Sequence, residues 1–142
     1  MVMWIVYAFL SALTAALVAI FAKLGLKNID VTLATTVRAI IMGVFLIMVA
    51  IVLRKFDGFT LASFSVREWT LITLSGIAGA LSWLFYFFAL KTGTASQVVA
   101  IDKLSVVFVV ILAVIFLGEV LTWKTALGAV FMATGAILMV LK

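Results

Sequence analysis

Long apolar runs separated by short polar segments dominate the chain. The first run covers residues 3–24, and the second covers residues 31–53 with Arg38 as its only charged residue. Three further runs cover residues 66–90, 96–117 and 123–141. About 20 apolar residues cross a bilayer as a helix, so each run predicts one transmembrane helix. The pattern therefore predicts an all-α integral membrane protein, a bundle of five transmembrane helices.

Polar residues at the ends of the runs predict where the helices begin. Asp30 and Thr122 precede the second and fifth helices, where each side chain is an expected N-cap. Ser65, followed three residues later by Glu68, has the form of a capping box at the start of the third helix. The chain contains no proline, so we expect straight helices unless a glycine or a polar side chain disturbs them. With no linker or low-complexity tract, residues 1–142 are predicted to form a single membrane domain.

The composition agrees with a membrane protein. Of the 142 residues, 68% are apolar and 11% are charged, and the mean hydropathy is +1.48. Soluble domains are roughly half apolar and one quarter charged. The net charge of +5 on so apolar a chain indicates contact with anionic lipid headgroups, and we expect no nucleic-acid partner.

The residue types that are missing narrow the chemistry. The chain has neither cysteine nor histidine, which excludes disulfides, thiolate nucleophiles, most zinc sites and the usual proton shuttle at neutral pH. We therefore expect no enzymatic activity, no metal and no cofactor. No acidic residue lies at the centre of a predicted span, and this favours facilitated or weakly coupled transport over proton-driven transport.

The basic residues of the loops can be sorted by side, because five spans place the two termini on opposite sides of the membrane. We name the side of the N-terminus face A and the other side face B. Face A receives Arg54, Lys55, Arg67 and Lys124, and face B receives Lys23, Lys27, Lys91 and Lys142.

The equal counts on the two faces permit insertion in both orientations. Two copies inserted in opposite orientations would form an antiparallel dimer with a twofold axis in the membrane plane, which is the inverted-repeat symmetry of many carriers. The alternative is a single orientation set by interactions that a count of loop charges ignores.

The third predicted helix carries a polar stripe. Ser75, Gly79, Ser82 and Tyr86 follow one another at steps of four, three and four residues, and Trp83 flanks them. An indole and a phenol in the membrane need hydrogen-bond partners, which a cavity filled with water or substrate would supply. The alternative is hydrogen bonding between helices in a dry bundle. Ser82, Trp83 and Tyr86 are therefore candidate cavity residues.

Charged residues also lie inside two of the predicted spans. Arg38 lies about seven residues into the second helix, and Asp102 and Lys103 lie about six residues into the fourth, both counted from face B. An Arg38–Asp102 ion pair would reduce the cost of burying these charges, and the same cluster could instead hold a carboxylate or amine of a substrate. Gln97 and Ser105 are its nearest polar neighbours, and all five residues are candidates for the substrate cavity.

Small residues mark a packing face on the fifth predicted helix. Gly128 and Gly135 lie seven residues apart, beside Ala129 and Ala133. Such a face allows close approach of another helix, either within the chain or across a dimer interface.

These segments together resemble the EamA-type domain of the drug/metabolite transporter superfamily. The similarity lies in Ile101–Phe108 (IDKLSVVF), in Phe116–Glu119 (FLGE), in the two glycines of the last helix, in Arg38 early in the second helix and in Ala89–Lys91 at the end of the third. It covers nearly the whole chain and is greatest to the short, five-span bacterial and archaeal branch.

The resemblance implies an arrangement and a function. Most members carry two such domains in tandem with opposite orientation, so one domain implies half of a ten-helix inverted-repeat transporter. Helices 1 to 4 of each half are then expected to line the cavity, and the fifth helix is expected to lie outside it. The chain lacks the proline early in helix 4 that many relatives carry, so no proline hinge is implied there. It also lacks the glutamate in helix 1 that marks the four-span multidrug pumps.

We therefore expect a multi-pass protein of the cell (cytoplasmic) membrane that exports small amphipathic metabolites such as amino acids, or facilitates their passage. It would act by alternating access as an antiparallel homodimer, with membrane lipids and a small-molecule substrate as its other partners. The alternatives are a subunit of a lipid-linked sugar flippase and a membrane scaffold that transports nothing.

Overall fold

The computed structural model of the chain describes residues 3–141, which are helical with short connections. Five segments in this range are long and apolar enough to cross a membrane, so the predicted all-α, five-span architecture is confirmed. Lys142, which the charge count placed on face B, lies outside the described residues. The elements are α1 (Met3–Gly25), α2 (Val31–Val52), a 3₁₀ turn (Leu61–Ser63), α3 (Val66–Thr92), α4 (Ala95–Asp102), α5 (Ser105–Leu112), a π-helical turn (Ala113–Leu117) and α6 (Trp123–Val140).

Side chains at the predicted N-caps satisfy the free N–H groups that every helix start leaves. The Asp30 carboxylate accepts the backbone N–H three residues further on at 2.8 Å. The backbone N–H of Ser65 donates to Glu68 Oε2 at 2.7 Å, and the N–H of Glu68 donates to Ser65 Oγ at 3.3 Å. Thr122 Oγ1 accepts the N–H of Thr125 at 3.2 Å. The predicted caps and the capping box are confirmed.

The fourth span covers Ala95–Leu117, which agrees with the predicted residues 96–117, but its helix is interrupted by a turn. α4 ends at Asp102, Lys103 and Leu104 form a turn, and α5 begins at Ser105. The N–H of Leu104 donates to the Ile101 carbonyl at 2.9 Å, three residues back instead of four. The exception allowed by the sequence, a polar side chain that disturbs the helix, applies at Asp102 and Lys103. Adjacent residues do not face each other on a regular helix, so a departure from it is what lets these two side chains meet.

A glycine ends the same span. The π-helical turn Ala113–Leu117 is followed by Gly118, whose φ is 66°, and the N–H of Gly118 donates to the Ala113 carbonyl. This left-handed conformation brings a side chain too close to the following carbonyl oxygen, a clash that glycine avoids.

Gly118→Ala is expected to destabilise the protein by about 1–2 kcal/mol, the cost of placing an L-residue in the left-handed region. Thermal unfolding in detergent, followed by circular dichroism at 222 nm, measures the effect. Gly25→Ala is the matched control, because Gly25 ends α1 in helical conformation and an added Cβ there meets no atom within 4 Å. Equal melting temperatures for the two variants would contradict the strain at Gly118.

The contacts divide the chain into two compact units. The first contains α1 and the elements from α4 to α6, with α6 packed against α4 and α5 and with Ala19, Ala100 and Ala136 buried. The second contains α2 and α3. That residues 1–142 act as a single domain stays a prediction.

In the second unit, α2 and α3 run in opposite directions, because Arg38 lies beside Trp83 and the loop before α2 lies beside Lys91 near the end of α3. The buried residues lie near the start of α2 and the end of α3. Leu26 and Val31 are buried at the α2 end, and Phe87 and Leu90 are buried at the α3 end.

A lysine ties the α1–α2 loop to the end of α3. Lys91 Nζ donates to the carbonyl oxygens of Leu26 at 2.5 Å, Ile29 at 3.0 Å and Lys27 at 3.3 Å. The sequence predicted for Lys91 only a loop charge on face B.

Lys91→Met is expected to loosen the α1–α2 loop, because a hydrogen bond to a charged group contributes about 1.5–3 kcal/mol. Amide hydrogen exchange of residues 25–30 should be at least tenfold faster in this variant. Lys27→Met is the control, because Lys27 contributes to the contact only through its main-chain carbonyl. Unchanged exchange in Lys91→Met would show that the three contacts do not order the loop.

Candidate functional site

The second unit contains an open groove of about 590 Å³ along α2 and α3, here named the α2–α3 groove. Thr32, Thr35, Thr36 and Arg38 line its polar end, which is the end nearest the start of α2. Apolar and small residues of both helices line the remainder, and Trp83 stands opposite Arg38. The groove therefore has one charged, hydroxyl-bearing end and a long apolar extension.

The guanidinium of Arg38 stacks on an aromatic cluster of α3. Its central carbon lies 3.7 Å from the centroid of the Trp83 ring and 5.4 Å from that of Phe87. Tyr86 meets Trp83 edge to face, with ring centroids 5.5 Å apart. The negative face of an indole attracts a cation, and this attraction is strongest where water is excluded. The cluster thereby holds a positive charge inside a membrane-spanning segment.

Threonines of α2 line the same end of the groove as Arg38. Thr35 Oγ1 donates to the Val31 carbonyl at 2.8 Å, and Thr36 Oγ1 donates to the Thr32 carbonyl at 2.9 Å. Each hydroxyl satisfies its own proton within α2 and retains oxygen lone pairs that can accept a hydrogen bond from a ligand.

Glycines widen the apolar extension of the groove. A Cβ added at Gly43, Gly76 or Gly79 meets no atom within 4 Å. The width of the groove at these positions therefore depends on the absence of side chains from both helices. Met42 and Leu46 continue its wall beyond Arg38. This extension can hold an apolar body along the helices.

The three predicted cavity residues of α3 have different positions relative to the groove. Trp83 lines the groove, and Tyr86 is half-buried against Trp83. Ser82 is exposed. The participation of Ser82 in a cavity stays a prediction.

Three of the four predicted polar residues of the fourth span have local partners. Gln97 Oε1 accepts a hydrogen bond from Thr94 Oγ1 at 2.8 Å, at the start of α4. Asp102 and Lys103 pair with each other at 3.5 Å, and Ser105 is the exposed first residue of α5. The Arg38–Asp102 ion pair and the role of these four residues in substrate contact stay predictions. Among residues 3–141, no group of three or more acidic side chains forms a candidate metal site.

The first unit contains a second groove of about 550 Å³, here named the α1–α4–α6 groove. Small and apolar residues line most of it, including Ala16, Ala100 and Met132. Ser96 and Lys103 are the polar residues among those that line it. Sequence analysis did not predict this groove, because its alanines lie on three separate helices among larger apolar residues.

The small residues of α6 separate into two sets. Ala129 and Ala133 are half-buried and continue to the buried Ala136, at steps of four and three residues on the side that packs within the chain. Gly128 and Gly135 have open space where a Cβ would stand, and Gly135 lines the α1–α4–α6 groove. Packing within the chain accounts for the alanines, and contact with a second copy through the glycines stays a prediction.

Comparison with known proteins gives two matches that extend over nearly the whole chain. A model of the EamA-like transporter family matches residues 2–141. A protein of Sinorhizobium sp., described as "Uncharacterized transporter in cobO 3'region", is 42% identical over 136 residues, which are 96% of this chain and 95% of that protein. No solved structure matches the chain.

Proposed function

The chain belongs to the EamA-like transporter family and is a membrane transporter; we propose that it carries small amphipathic metabolites, such as amino acids, across the cell (cytoplasmic) membrane. It acts as an exporter or a facilitator. The observation that supports this proposal is the α2–α3 groove, in which a stacked guanidinium and threonine hydroxyls stand at one end of an apolar channel. A ligand with one charged end and an apolar body matches that distribution.

The proposed mechanism is alternating access in an antiparallel homodimer. Two features support it: the loops on faces A and B carry equal numbers of basic residues, and at most 6% of each spanning window is buried within the chain. The exposed apolar surface of the spans needs lipid or a second chain to cover it, and dual insertion supplies a second chain in the inverted orientation.

Orientation is tested first, and the absence of native cysteine makes the test direct. Single cysteines are introduced at Asn28, in the α1–α2 loop, and at Ala62, in the α2–α3 loop, which lie on opposite faces in the five-span topology. Intact cells are then labelled with a membrane-impermeant maleimide. We expect substantial labelling at both positions in separate variants. Labelling at only one position would exclude dual insertion.

Transport itself is tested in proteoliposomes. Purified protein is reconstituted into liposomes, and these are loaded with a panel of radiolabelled metabolites that includes amino acids. The flux of each metabolite is compared with that of empty liposomes and of liposomes that contain the Trp83→Leu variant. We expect flux above the empty liposomes for at least one amphipathic solute, reduced in the variant. Flux equal to that of empty liposomes across the whole panel would refute the proposal.

A second candidate function is that of a subunit in a lipid-linked sugar flippase. The α1–α4–α6 groove favours it, because an almost wholly apolar groove beside Lys103 can accept an acyl or isoprenoid chain with a phosphate near the lysine. Reconstitution with a fluorescent polyprenyl-phosphate lipid, followed by dithionite quenching of the outer leaflet, separates the two functions. Accelerated lipid movement without metabolite flux would favour the flippase.

A further inference from the structure

Building on the proposed function, we propose that the α2–α3 groove selects small monocarboxylates with an apolar body in preference to amino acids and amines. The proposal specifies the charge of the substrate, which a general description as an amphipathic metabolite leaves open. It follows from the positive charge of Arg38, which lines the groove, and from the lack of an aspartate or glutamate among the described lining residues.

The described residues that line the groove provide no acidic counterpart for the positive charge of Arg38. Among the described residues that line it, none is an aspartate or a glutamate. The acidic residues of the second unit lie elsewhere: Asp30 caps the start of α2, Glu68 accepts from Ser65 at the start of α3, and Asp57 lies in the turn after α2. A cation held in a membrane-spanning segment is stabilised by an opposite charge, and a bound anion would supply it.

Stacking on Trp83 leaves the N–H groups of Arg38 available to bind a carboxylate. The indole of Trp83 covers a face of the guanidinium at 3.7 Å, while the N–H donors of a guanidinium point outward in its own plane. Two parallel N–H groups match the two oxygens of a carboxylate, and stacking holds the fork in a fixed orientation before the ligand arrives.

An amino group finds no such match. Its positive charge would lie close to that of Arg38, and the groove offers it only neutral oxygens, such as those of Thr35 and Thr36. Transferring an ammonium group from water to such a site is unfavourable without an anionic partner. An α-amino acid therefore gains the carboxylate contact and loses the hydration of its ammonium group, whereas a plain monocarboxylate gains the contact alone.

The apolar extension sets the length of the ligand body. Met42 and Leu46 follow Arg38 at steps of four residues along α2. At 1.5 Å per residue, the wall from Arg38 to Leu46 is about 12 Å long. A branched-chain or phenylalkyl body of three to eight carbons beyond the carboxylate fits within that length.

The phosphate of an anionic phospholipid shares the chemistry of an anion attached to an apolar chain. We assign the groove to a water-soluble monocarboxylate, because its polar end carries threonine hydroxyls that suit a small hydrated headgroup. The lipid is tested as a competitor.

The test uses four ligands with the same phenyl body and different charges: 3-phenylpropionate, L-phenylalanine, 2-phenylethylamine and 3-phenylpropanol. Binding is measured by the fluorescence of Trp83 in full-length protein in which the other three tryptophans are phenylalanine, reconstituted in phosphatidylcholine nanodiscs. We expect 3-phenylpropionate to bind at least tenfold more tightly than each of the others. Arg38→Gln should lose at least tenfold in affinity for 3-phenylpropionate, Arg38→Lys should lose less, and Lys55→Gln, in the turn after α2, should be unchanged.

Three results would overturn the proposal: equal or tighter binding of L-phenylalanine or the amine, a preference for the anion that persists in Arg38→Gln, and binding of none of the four ligands. Loss of 3-phenylpropionate binding in nanodiscs that contain phosphatidylglycerol would also overturn it, in favour of the lipid. Because the ligand series is read on protein with native Arg38, the test does not depend on the folding of an Arg38 variant. Flux of zwitterionic amino acids at rates equal to those of monocarboxylates would support the proposed transport and refute this inference. Preferential binding of the monocarboxylate without flux of any metabolite would support this inference and refute the proposed transport.

Discussion

Replacement of Trp83 by leucine is expected to reduce transport at least tenfold and to destabilise the protein by about 2 kcal/mol. The indole face, 3.7 Å from the Arg38 guanidinium, stabilises a cation within a spanning segment, and a desolvated cation–π contact contributes about 2 kcal/mol. Without the ring, the cost of the charge in the apolar phase is no longer offset. Trp83→Phe retains a weaker aromatic face and should fall between the native protein and the leucine variant.

Two measurements separate the stability effect from the transport effect. Thermal unfolding in detergent reports the loss of stability, and flux per folded protein in proteoliposomes reports transport. Trp123→Leu is the control, because Trp123 begins α6 with 69% of its surface exposed and should change neither quantity much. A native melting temperature for Trp83→Leu would show that the stacked geometry contributes nothing to stability.

The double variant Arg38→Leu/Trp83→Leu extends the argument. It removes the charge together with its aromatic support, so stability should recover to near the native value. Transport should remain lost, because the groove then has no cation for a ligand anion. Recovery of transport in the double variant would mean that neither residue contacts the substrate.

The sequence predicts the spans well because the bilayer imposes a simple rule. A backbone in hydrocarbon must bond to itself, so an apolar run of sufficient length becomes a helix whatever its neighbours are. The N-caps were equally predictable, because Asp30 and Thr122 bond to backbone groups three residues away. These features depend only on local sequence.

The contacts of the candidate site required the structure. Arg38 and Trp83 were each recognised as unusual within a span, yet they lie on different helices, and only the register of α2 against α3 brings them together. The role of Lys91 was missed for the same reason, since its partners are carbonyl groups of the α1–α2 loop that no side-chain pattern marks.

The interruption of the fourth span was only partly predictable. Asp102 and Lys103 were recognised as polar residues in an apolar run, and a polar side chain was the stated exception to a straight helix. Sequence spacing does not reveal which backbone N–H will donate to the carbonyl three residues back instead of four. An Arg38–Asp102 ion pair was one of two interpretations of these charges and stays a prediction, whereas the pairing of Asp102 with its own neighbour Lys103 at 3.5 Å came only from the structure.

Asp102→Ala is expected to destabilise the protein by about 2–3 kcal/mol, because it leaves the Lys103 ammonium within a spanning segment without its carboxylate partner. The fraction of protein that elutes as a monodisperse species in detergent should fall, and the melting temperature with it. The double variant Asp102→Asn/Lys103→Gln removes both charges and should restore the native melting temperature, since no charge then remains to be compensated. Failure of the double variant to recover would mean that the pair is not the source of the effect.

Transport by the double variant then decides what the pair is for. If the Asp102–Lys103 pair serves to stabilise the turn between α4 and α5, the neutral variant should carry substrate at close to the native rate, and we expect this result. A variant that folds normally but transports at least tenfold more slowly would show instead that these charges contact the substrate or move with it. The same protein sample answers both questions, because stability and flux are measured separately. The second outcome would mean that the charged group of the substrate contacts the interrupted fourth span and not the α2–α3 groove.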